Sequence, residues 1–276
     1  MPRFIIIGQT GVGKSTLANA LLGDMSCRSC NFHVCNNLNL CTKNTKYAFG
    51  HWLGQGANVT IIDTPGFSDN FGDESHKRIE EMFRILKEDV KGVNVIMLLV
   101  KNNDRQLEDG MKTMLKMMES TFGKQLWNKL IIAVTHWSYR ESEIEQREQS
   151  GQFEHQIAQN WNNILKNMPL IEKDIPVVFL DAWSQNTWNL DDPKQQKEWE
   201  KGTKKLWDFS LQQNLFNFKS IQDVLLENKA LKRNKREIDE QNQSLQEVIQ
   251  TLVTYTGNMT NIKIELVSCI YRVQYK

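Results

Sequence analysis

Residues 8–15 combine glycines, a lysine and a hydroxyl side chain at a spacing suited to binding a polyphosphate. The segment fits G-x-x-x-x-G-K-[ST] and reads Gly8-Gln9-Thr10-Gly11-Val12-Gly13-Lys14-Ser15. Glycines let backbone N–H groups turn inward around phosphate oxygens, and the following helix N-terminus adds positive potential. We expect Lys14 to reach the outer phosphates, Ser15 to bind Mg²⁺ and Thr16 to donate to the inner phosphate. The alternative, a glycine turn without a ligand, is disfavoured by the apolar strand pattern before it and the helical pattern after it.

A second candidate motif, Asp63-Thr64-Pro65-Gly66, follows the next apolar strand pattern along the chain. An Asp at the end of a buried strand can hold Mg²⁺, here through water, and the Gly66 N–H can reach a γ-phosphate. D-x-x-G is common by itself, so the assignment of this motif depends on its position after the phosphate loop. A loop held only by the γ-phosphate is released when that group leaves, which predicts a hinge at Gly66.

The long loop predicted between these motifs, residues 24–47, is rich in cysteine. Cys27, Cys30, Cys35 and Cys41 lie within fifteen residues, with His33 among them. Four thiolates at this density can bind Zn²⁺ tetrahedrally, although the later spacings differ from those of the common zinc knuckles. Two interpretations stay open, a structural zinc site or reduced thiols packed in a switch.

Five short apolar runs predict the strands that position these motifs. They are continuous rather than alternating, as in strands buried on both faces of a parallel sheet, and cover residues 4–7, 59–62, 93–100, 130–134 and 176–180. Helical stripes separate the runs, at residues 79–90, 111–118 and 157–165. This alternation predicts an α/β domain with a mainly parallel central sheet flanked by helices. Its ligand should lie at the carboxyl ends of the strands.

A different pattern begins after residue 215, so we predict a nucleotide-binding domain over residues 1–215 and a helical extension over residues 216–276. Apolar residues recur every seven positions at Val224, Leu231, Ile238, Leu245 and Leu252. The positions three residues earlier are Ile221, Asn228, Lys235, Asn242 and Ile249. This is a heptad seam with a polar middle, which predicts a coiled coil. A single helix folded back on the domain is the alternative.

Composition excludes a general affinity for polyanions. Lysine and arginine total 34 and aspartate and glutamate 33, so the net charge is +1. We therefore expect no nucleic-acid partner.

No apolar run approaches the roughly 18 residues of a membrane span, and the N-terminus lacks a signal pattern. We expect a cytoplasmic protein with reduced cysteines, while residues 262–275 leave a peripheral membrane contact open.

The choice of base should depend on the strand at residues 130–134 and on Thr135-His136-Trp137-Ser138 after it. Ras-like GTPases carry the motif Asn-Lys-x-Asp at this place, and this chain lacks the Asp of that motif. The arrangement resembles the immunity-associated GTPases (GIMAP, AIG-type), relatives of the septins and the chloroplast import receptors. The resemblance covers about residues 3–185 and rests on I-G-Q-T-G-V-G-K-S-T-L-A-N-A-L-L-G, I-I-D-T-P-G-F, V-I-M-L-L-V-K-N-N-D-R-Q-L-E-D and A-V-T-H-W. It implies a P-loop G domain that binds GTP or GDP with Mg²⁺.

The resemblance also implies roles outside the phosphate motifs. His136 should pack against or contact the base, and Thr135 should position its loop. The stretch around Asp181 departs from the Asn-rich turn that the family has at this place. Asp181 either accepts hydrogen bonds from the guanine N1 and N2 groups or is an ordinary strand-end aspartate. Thr42 is the candidate switch hydroxyl on Mg²⁺, Thr45 is the runner-up, and a solvated loop residue is the alternative.

Hydrolysis by a lone molecule should be slow. Ras-like enzymes place a Gln soon after Asp-x-x-Gly to orient water, whereas Phe67 follows Gly66 here. Arg105 matches an arginine of the family's conserved box and could supply charge in trans within a nucleotide-dependent homodimer or homo-oligomer. A solvated arginine without a catalytic role is the alternative for Arg105.

For the protein as a whole we expect a slow GTPase, with a non-hydrolysing GTP-regulated scaffold as the main alternative. An ATP-dependent P-loop enzyme is disfavoured by Asp-Thr-Pro-Gly so soon after the P-loop.

Overall fold

The chain forms two compact units, Met1–Ile221 and Gln222–Lys276. The computed structural model describes residues 1–24, 30–34, 42–66, 73–167, 171, 173–182, 192–216 and 238–251. The first unit ends slightly beyond the predicted boundary near residue 215. In the second unit, residues 238–251 are helical and expose the heptad residues Ile238 and Leu245. Across the described ranges, no helix is both long and apolar enough to traverse a bilayer.

A six-stranded sheet forms the centre of the first unit. Its strands are β1 (Arg3–Gly8), β2 (Lys46–His51), β3 (Asn58–Asp63), β4 (Val95–Lys101), β5 (Leu130–Thr135) and β6 (Val177–Phe179). They lie in the order β2-β3-β1-β4-β5-β6. Only the pairing of β2 with β3 is antiparallel among these strands. The predicted mainly parallel sheet is therefore confirmed.

Helices cover both faces of this sheet. They are α1 (Lys14–Leu21), α2 (Asp73–Glu88), α3 (Asp109–Phe122), α4 (Gln125–Lys129), α5 (Glu141–Gln149), α6 (Glu154–Leu165) and α7 (Pro193–Leu211). Successive strand residues point to opposite faces, so Ile5 and Ile7 join one apolar cluster while Phe4 and Ile6 join the other. The first cluster packs against α2, α3 and α6, and the second against α1 and α7. Burial on both faces explains why the strand sequences are continuously apolar.

The helical stripes were predicted correctly, and one strand was missed. Met114, Leu115 and Met118 are fully buried on α3, as core packing requires. β2 begins at Lys46, inside the loop predicted for residues 24–47. It is an antiparallel edge strand with mostly exposed side chains, so it lacks the apolar run that identifies a strand buried on both faces.

The carboxyl ends of four strands meet at one edge of the sheet. β1 ends at Gly8, β3 at Asp63, β4 at Lys101 and β5 at Thr135. Parallel pairing places Lys101 opposite Thr135 in register. Residues that follow these strands therefore lie together, although they are far apart in the sequence.

Candidate functional site

The phosphate-loop candidate occupies the connection between β1 and α1. Gly11 and Gly13 have φ angles of 76° and 92°, in the left-handed region that glycine adopts without strain. Gly13 is the N-cap of α1, which begins at Lys14. The Lys14 ammonium folds back and donates to the carbonyl oxygens of Gly8 at 3.0 Å and Gln9 at 2.7 Å. The loop thus has the backbone shape and the cation that a phosphate cradle needs.

Lys14 and Asp63 are both buried ionisable groups. Burial lowers the pKa of Lys14 to about 8, although attraction to Asp63 acts in the opposite direction. Burial raises the pKa of Asp63 against the opposing effects of the Ser15 hydrogen bond and the Lys14 charge. Both groups would gain from a ligand that stabilises their charged forms, because neither is solvated. A polyphosphate with a divalent cation is such a ligand.

The three residues predicted to hold magnesium lie together. The Ser15 hydroxyl donates to Asp63 Oδ2 at 2.6 Å, and Thr42 Oγ1 lies 3.1 Å from Ser15 Oγ and 3.4 Å from the same carboxylate oxygen. The other oxygen, Asp63 Oδ1, is buried and has no hydrogen-bond partner within the described residues. Hydroxyl and carboxylate oxygens are the ligands that Mg²⁺ prefers, so these residues fit the ion. Thr45 is also buried, but its hydroxyl makes no hydrogen bond to any described residue.

The second motif packs directly on the phosphate loop. A Cβ atom on Gly66 would lie 2.6 Å from Thr10 Cα and 2.8 Å from Thr10 N, so no larger residue fits without a shift. The Thr64 hydroxyl donates to the Ile6 carbonyl at 2.8 Å and anchors the start of this segment on β1. Thr10 and Gly66 therefore mark one end of the candidate site.

Thr135 and His136 mark the other end. Thr135 Oγ1 lies 2.8 Å from the Val12 carbonyl oxygen and 3.1 Å from His136 Nδ1, so β5 is tied to the phosphate loop. His136 has a φ angle of 57°, which is unusual for a residue other than glycine. Its ring lies 3.9 Å from the position of a Cβ on Gly13. Partial burial and the charge of Lys101 lower the pKa of His136, while Asp181 opposes them.

The remaining predicted residues lie around this centre. Thr16 is half-buried in the first turn of α1, and Asp181 follows β6 closely enough for its charge to act on His136. Arg105 is exposed between β4 and α3. It lines a cleft of about 270 Å³ with Asp104 and with Trp161 of α6. Cys30 is a free thiol, whereas Cys27, Cys35 and Cys41 lie outside the described residues, so the zinc hypothesis stays a prediction.

Lys101 is a candidate site residue that the sequence reasoning missed. Its Nζ lies 3.9 Å from the position of a Cβ on Gly11, beside the phosphate loop. The available signal was a lysine that ends a continuously apolar strand at the edge of the sheet where a ligand is expected.

The order of the strands and the loop that follows β1 define a P-loop G domain, the class predicted from the sequence. Within that class, this chain belongs to the AIG1 family, which matches residues 2–184. The match includes the phosphate loop, Asp63, Arg105, His136 and Asp181, so every predicted site residue lies inside it.

Curated relatives share part of this chain. The translocase of chloroplast 34 homolog of Chlamydomonas reinhardtii is 30% identical over 136 residues, which cover 48% of this chain and 34% of that protein. Translocase of chloroplast 33 of Arabidopsis thaliana is 25% identical over 132 residues, which cover 48% and 41%. The shared region thus spans well under half the length of either relative.

Solved structures are similar in fold over a larger part of this chain. Toc33 from Arabidopsis thaliana in complex with Mg²⁺ and GMPPNP superimposes with a TM-score of 0.54 at 18% identity, covering 78% of this chain and 87% of that one. A second structure concerns the chloroplast translocon components atToc33 and psToc159, for whose GTPase activity dimerization is important. It gives a TM-score of 0.53 at 20% identity and covers 77% and 84%. At such identities the similarity establishes the fold alone.

Proposed function

We propose that this chain binds GTP and GDP with Mg²⁺ and hydrolyses GTP slowly. The observation that carries the proposal is the convergence of Ser15, Thr42 and Asp63 beside the buried Lys14 ammonium. Hard oxygen ligands next to a cation, in a glycine loop that leads into a helix N-terminus, suit a metal-bound triphosphate.

Each predicted residue has a role in this proposal. The backbone and side chains from Gly8 to Thr16 hold the phosphates, and Lys14 exchanges its two carbonyl partners for outer phosphate oxygens. Ser15 and Thr42 would hold Mg²⁺ directly and Asp63 through water, and the ion would neutralise charge on the phosphates. Gly66 would sense the γ-phosphate. Thr135, His136 and Asp181 would surround the base.

Self-association through the G domain is the second part of the proposal. The solved relative whose GTPase activity depends on dimerization supports it, as does the exposed position of Arg105. An arginine supplied in trans offsets the lack of a Gln after Asp63-Thr64-Pro65-Gly66. We place the protein in the cytoplasm, where GTP is available and thiols stay reduced. A scaffold that binds GTP without hydrolysing it is the alternative.

Titration and turnover measurements test the proposal together. Calorimetry with GTP, GDP and ATP in magnesium should show binding that prefers guanine nucleotides and that Lys14→Ala weakens at least about tenfold. Phosphate release from GTP should be slow and should disappear in Lys14→Ala. Lack of binding to guanine nucleotides at millimolar concentration would refute the function. Binding without any phosphate release would favour the scaffold.

A further inference from the structure

Lys101 is the last residue of β4 and lies beside the segment expected to meet the base. It is in register with Thr135, the residue before His136, and the Asn102 N–H donates to the Thr135 carbonyl at 3.1 Å. The Lys101 N–H donates to Asp104 Oδ2 at 2.8 Å, which fixes the backbone where the side chain leaves the strand. The two strand ends thus form one rigid platform.

The Lys101 ammonium reaches the phosphate loop from this platform. Its Nζ lies 3.9 Å from the position of a Cβ on Gly11, and its charge is one of the causes that lower the pKa of His136. The side chain is only partly exposed. Among the described residues, nothing accepts a hydrogen bond or forms an ion pair with this Nζ, in contrast to Lys14 with its two carbonyl acceptors.

The chemistry of this position indicates the partner. An ammonium offers only hydrogen-bond donors, and the backbone N–H groups of the phosphate loop are donors as well, so a ligand that carries acceptors would suit this position. The two ends of the loop differ, since Thr10 contacts Gly66 at the γ-phosphate end and Gly13 faces His136 at the base end. Lys101 Nζ lies beside Gly11, between these two ends, and the register of Lys101 with Thr135 and the effect of its charge on His136 bring it within reach of the base end.

We propose that Lys101 selects guanine by donating to the O6 and N7 edge of the base. This inference rests on the proposed binding of guanine nucleotides. Guanine presents two acceptors at that edge, whereas adenine replaces O6 with an amino donor that an ammonium repels. The Asn-Lys-x-Asp carboxylate reads the opposite guanine edge, through its N–H donors. Reading the acceptor edge explains how guanine is chosen although that carboxylate is absent.

Lys101→Met tests the proposal, because it keeps most of the length of the unbranched side chain and removes its donors. Binding of GDP, ADP, 7-deaza-GDP and 6-thio-GDP is measured in magnesium for the wild type and each variant. The wild type should lose about tenfold in affinity when N7 is removed or O6 is replaced by sulfur. Lys101→Met should bind GDP about tenfold more weakly, bind the two analogues almost as well as GDP, and not lose affinity for ADP.

Matched variants make the result specific. Lys116→Met changes an exposed lysine of α3 and should behave as the wild type with every nucleotide. Lys101→Arg keeps the donors and should retain the preference for guanine over adenine. Thermal unfolding followed by circular dichroism should be unchanged in Lys101→Met, because no described protein group depends on its Nζ.

Two outcomes overturn the inference while leaving the proposed function intact. One is Lys101→Met with wild-type affinity and selectivity for GDP. The other is weaker GDP binding in which the sensitivity to 7-deaza and 6-thio substitution is unchanged, since that would place the ammonium on a phosphate. A folded wild type that binds no guanine nucleotide contradicts the proposed function itself, and this inference with it.

Discussion

Thr135 Oγ1 lies 2.8 Å from the carbonyl oxygen of Val12, which joins the end of β5 to the phosphate loop across 123 positions of sequence. A second carbonyl, that of Val100, lies 3.2 Å from the same hydroxyl. Carbonyl oxygens only accept, and the Val12 carbonyl is the nearer of the two, so the Thr135 hydroxyl donates to Val12. In the tautomer that carries its proton on Nδ1, His136 can donate to Thr135 Oγ1, 3.1 Å away. Thr135 thus sets the position of the loop that begins at His136.

Replacing Thr135 with Val should destabilise the fold and weaken nucleotide binding. The substitution keeps the shape but leaves the Val12 carbonyl, a buried acceptor, without its hydroxyl donor, which costs about 1–3 kcal/mol in the free energy of unfolding. Nucleotide binding should weaken too, because the loop that begins at His136 loses its hydrogen bond to the phosphate loop. Urea unfolding and GDP titration measure the two effects.

Thr60→Val is the matched control for that substitution. Thr60 is fully buried on β3, and its hydroxyl has no hydrogen-bond partner among the described residues. Removing an unpaired buried hydroxyl should leave stability unchanged or raise it by about 1 kcal/mol. Equal destabilisation by both variants would show that the bond from Thr135 contributes nothing specific.

Nucleotide affinity should fall as the pH rises above about 8. The pKa of Lys14 is lowered to about 8 by burial in the ligand-free protein, and a polyphosphate must raise it by favouring the charged form. The charged lysine thus predominates well below pH 8, and each pH unit above 8 should cost roughly up to tenfold in affinity. Calorimetry near pH 8 in two buffers of different ionisation enthalpy should detect proton uptake on binding.

Lys14→Arg is the control for the pH experiment. Arginine stays charged throughout this range, so the variant should show no loss of affinity between pH 7 and 9, however weak its binding is. A wild type whose affinity is constant over the same range would contradict the assigned role of the Lys14 ammonium.

Asp63→Asn should reduce the part of the GDP affinity that depends on magnesium and leave the affinity in EDTA unchanged. The amide keeps the size of the side chain but loses the charge that Asp63 would present to the ion through water. Loss of such an outer partner typically costs about 10–100-fold in metal affinity. GDP affinity with magnesium should therefore approach the affinity in EDTA.

Asp174→Asn is the matched control for Asp63→Asn. Asp174 forms an exposed ion pair with Lys166, so this variant should retain the full magnesium effect. An undiminished magnesium effect in Asp63→Asn would remove Asp63 from the proposed metal site.

Arg105→Ala should abolish the dependence of specific activity on protein concentration. If Arg105 acts in trans, phosphate release per molecule should rise with wild-type concentration from nanomolar to tens of micromolar, since an arginine finger contributes about 10³ to 10⁵ in rate. The variant should retain the low rate seen at nanomolar concentration. Arg84→Ala removes an exposed arginine that pairs with Glu88 on α2 and should leave the concentration dependence intact. A flat wild-type profile would contradict the trans mechanism.

The sequence predicted the parts of the site that are local in the chain. The phosphate loop spans eight residues, and its chemistry depends on spacing alone, so Gly8 to Ser15 could be identified without a structure. The parallel sheet followed from the apolar runs, because burial on both faces leaves the same signature in every such strand. Asp63 was proposed as a site residue because it directly follows one of these runs.

Tertiary structure alone decided which distant residues meet. The resemblance only ranked Thr42 ahead of Thr45, whereas folding places the Thr42 hydroxyl 3.1 Å from that of Ser15. Lys101 was inconspicuous until the register of β4 and β5 set it beside His136 and Gly11. The reason is physical. The local sequence determines spacing along one helix or turn, but contacts across strand ends depend on sheet order and register. A pattern within a single segment cannot contain that information.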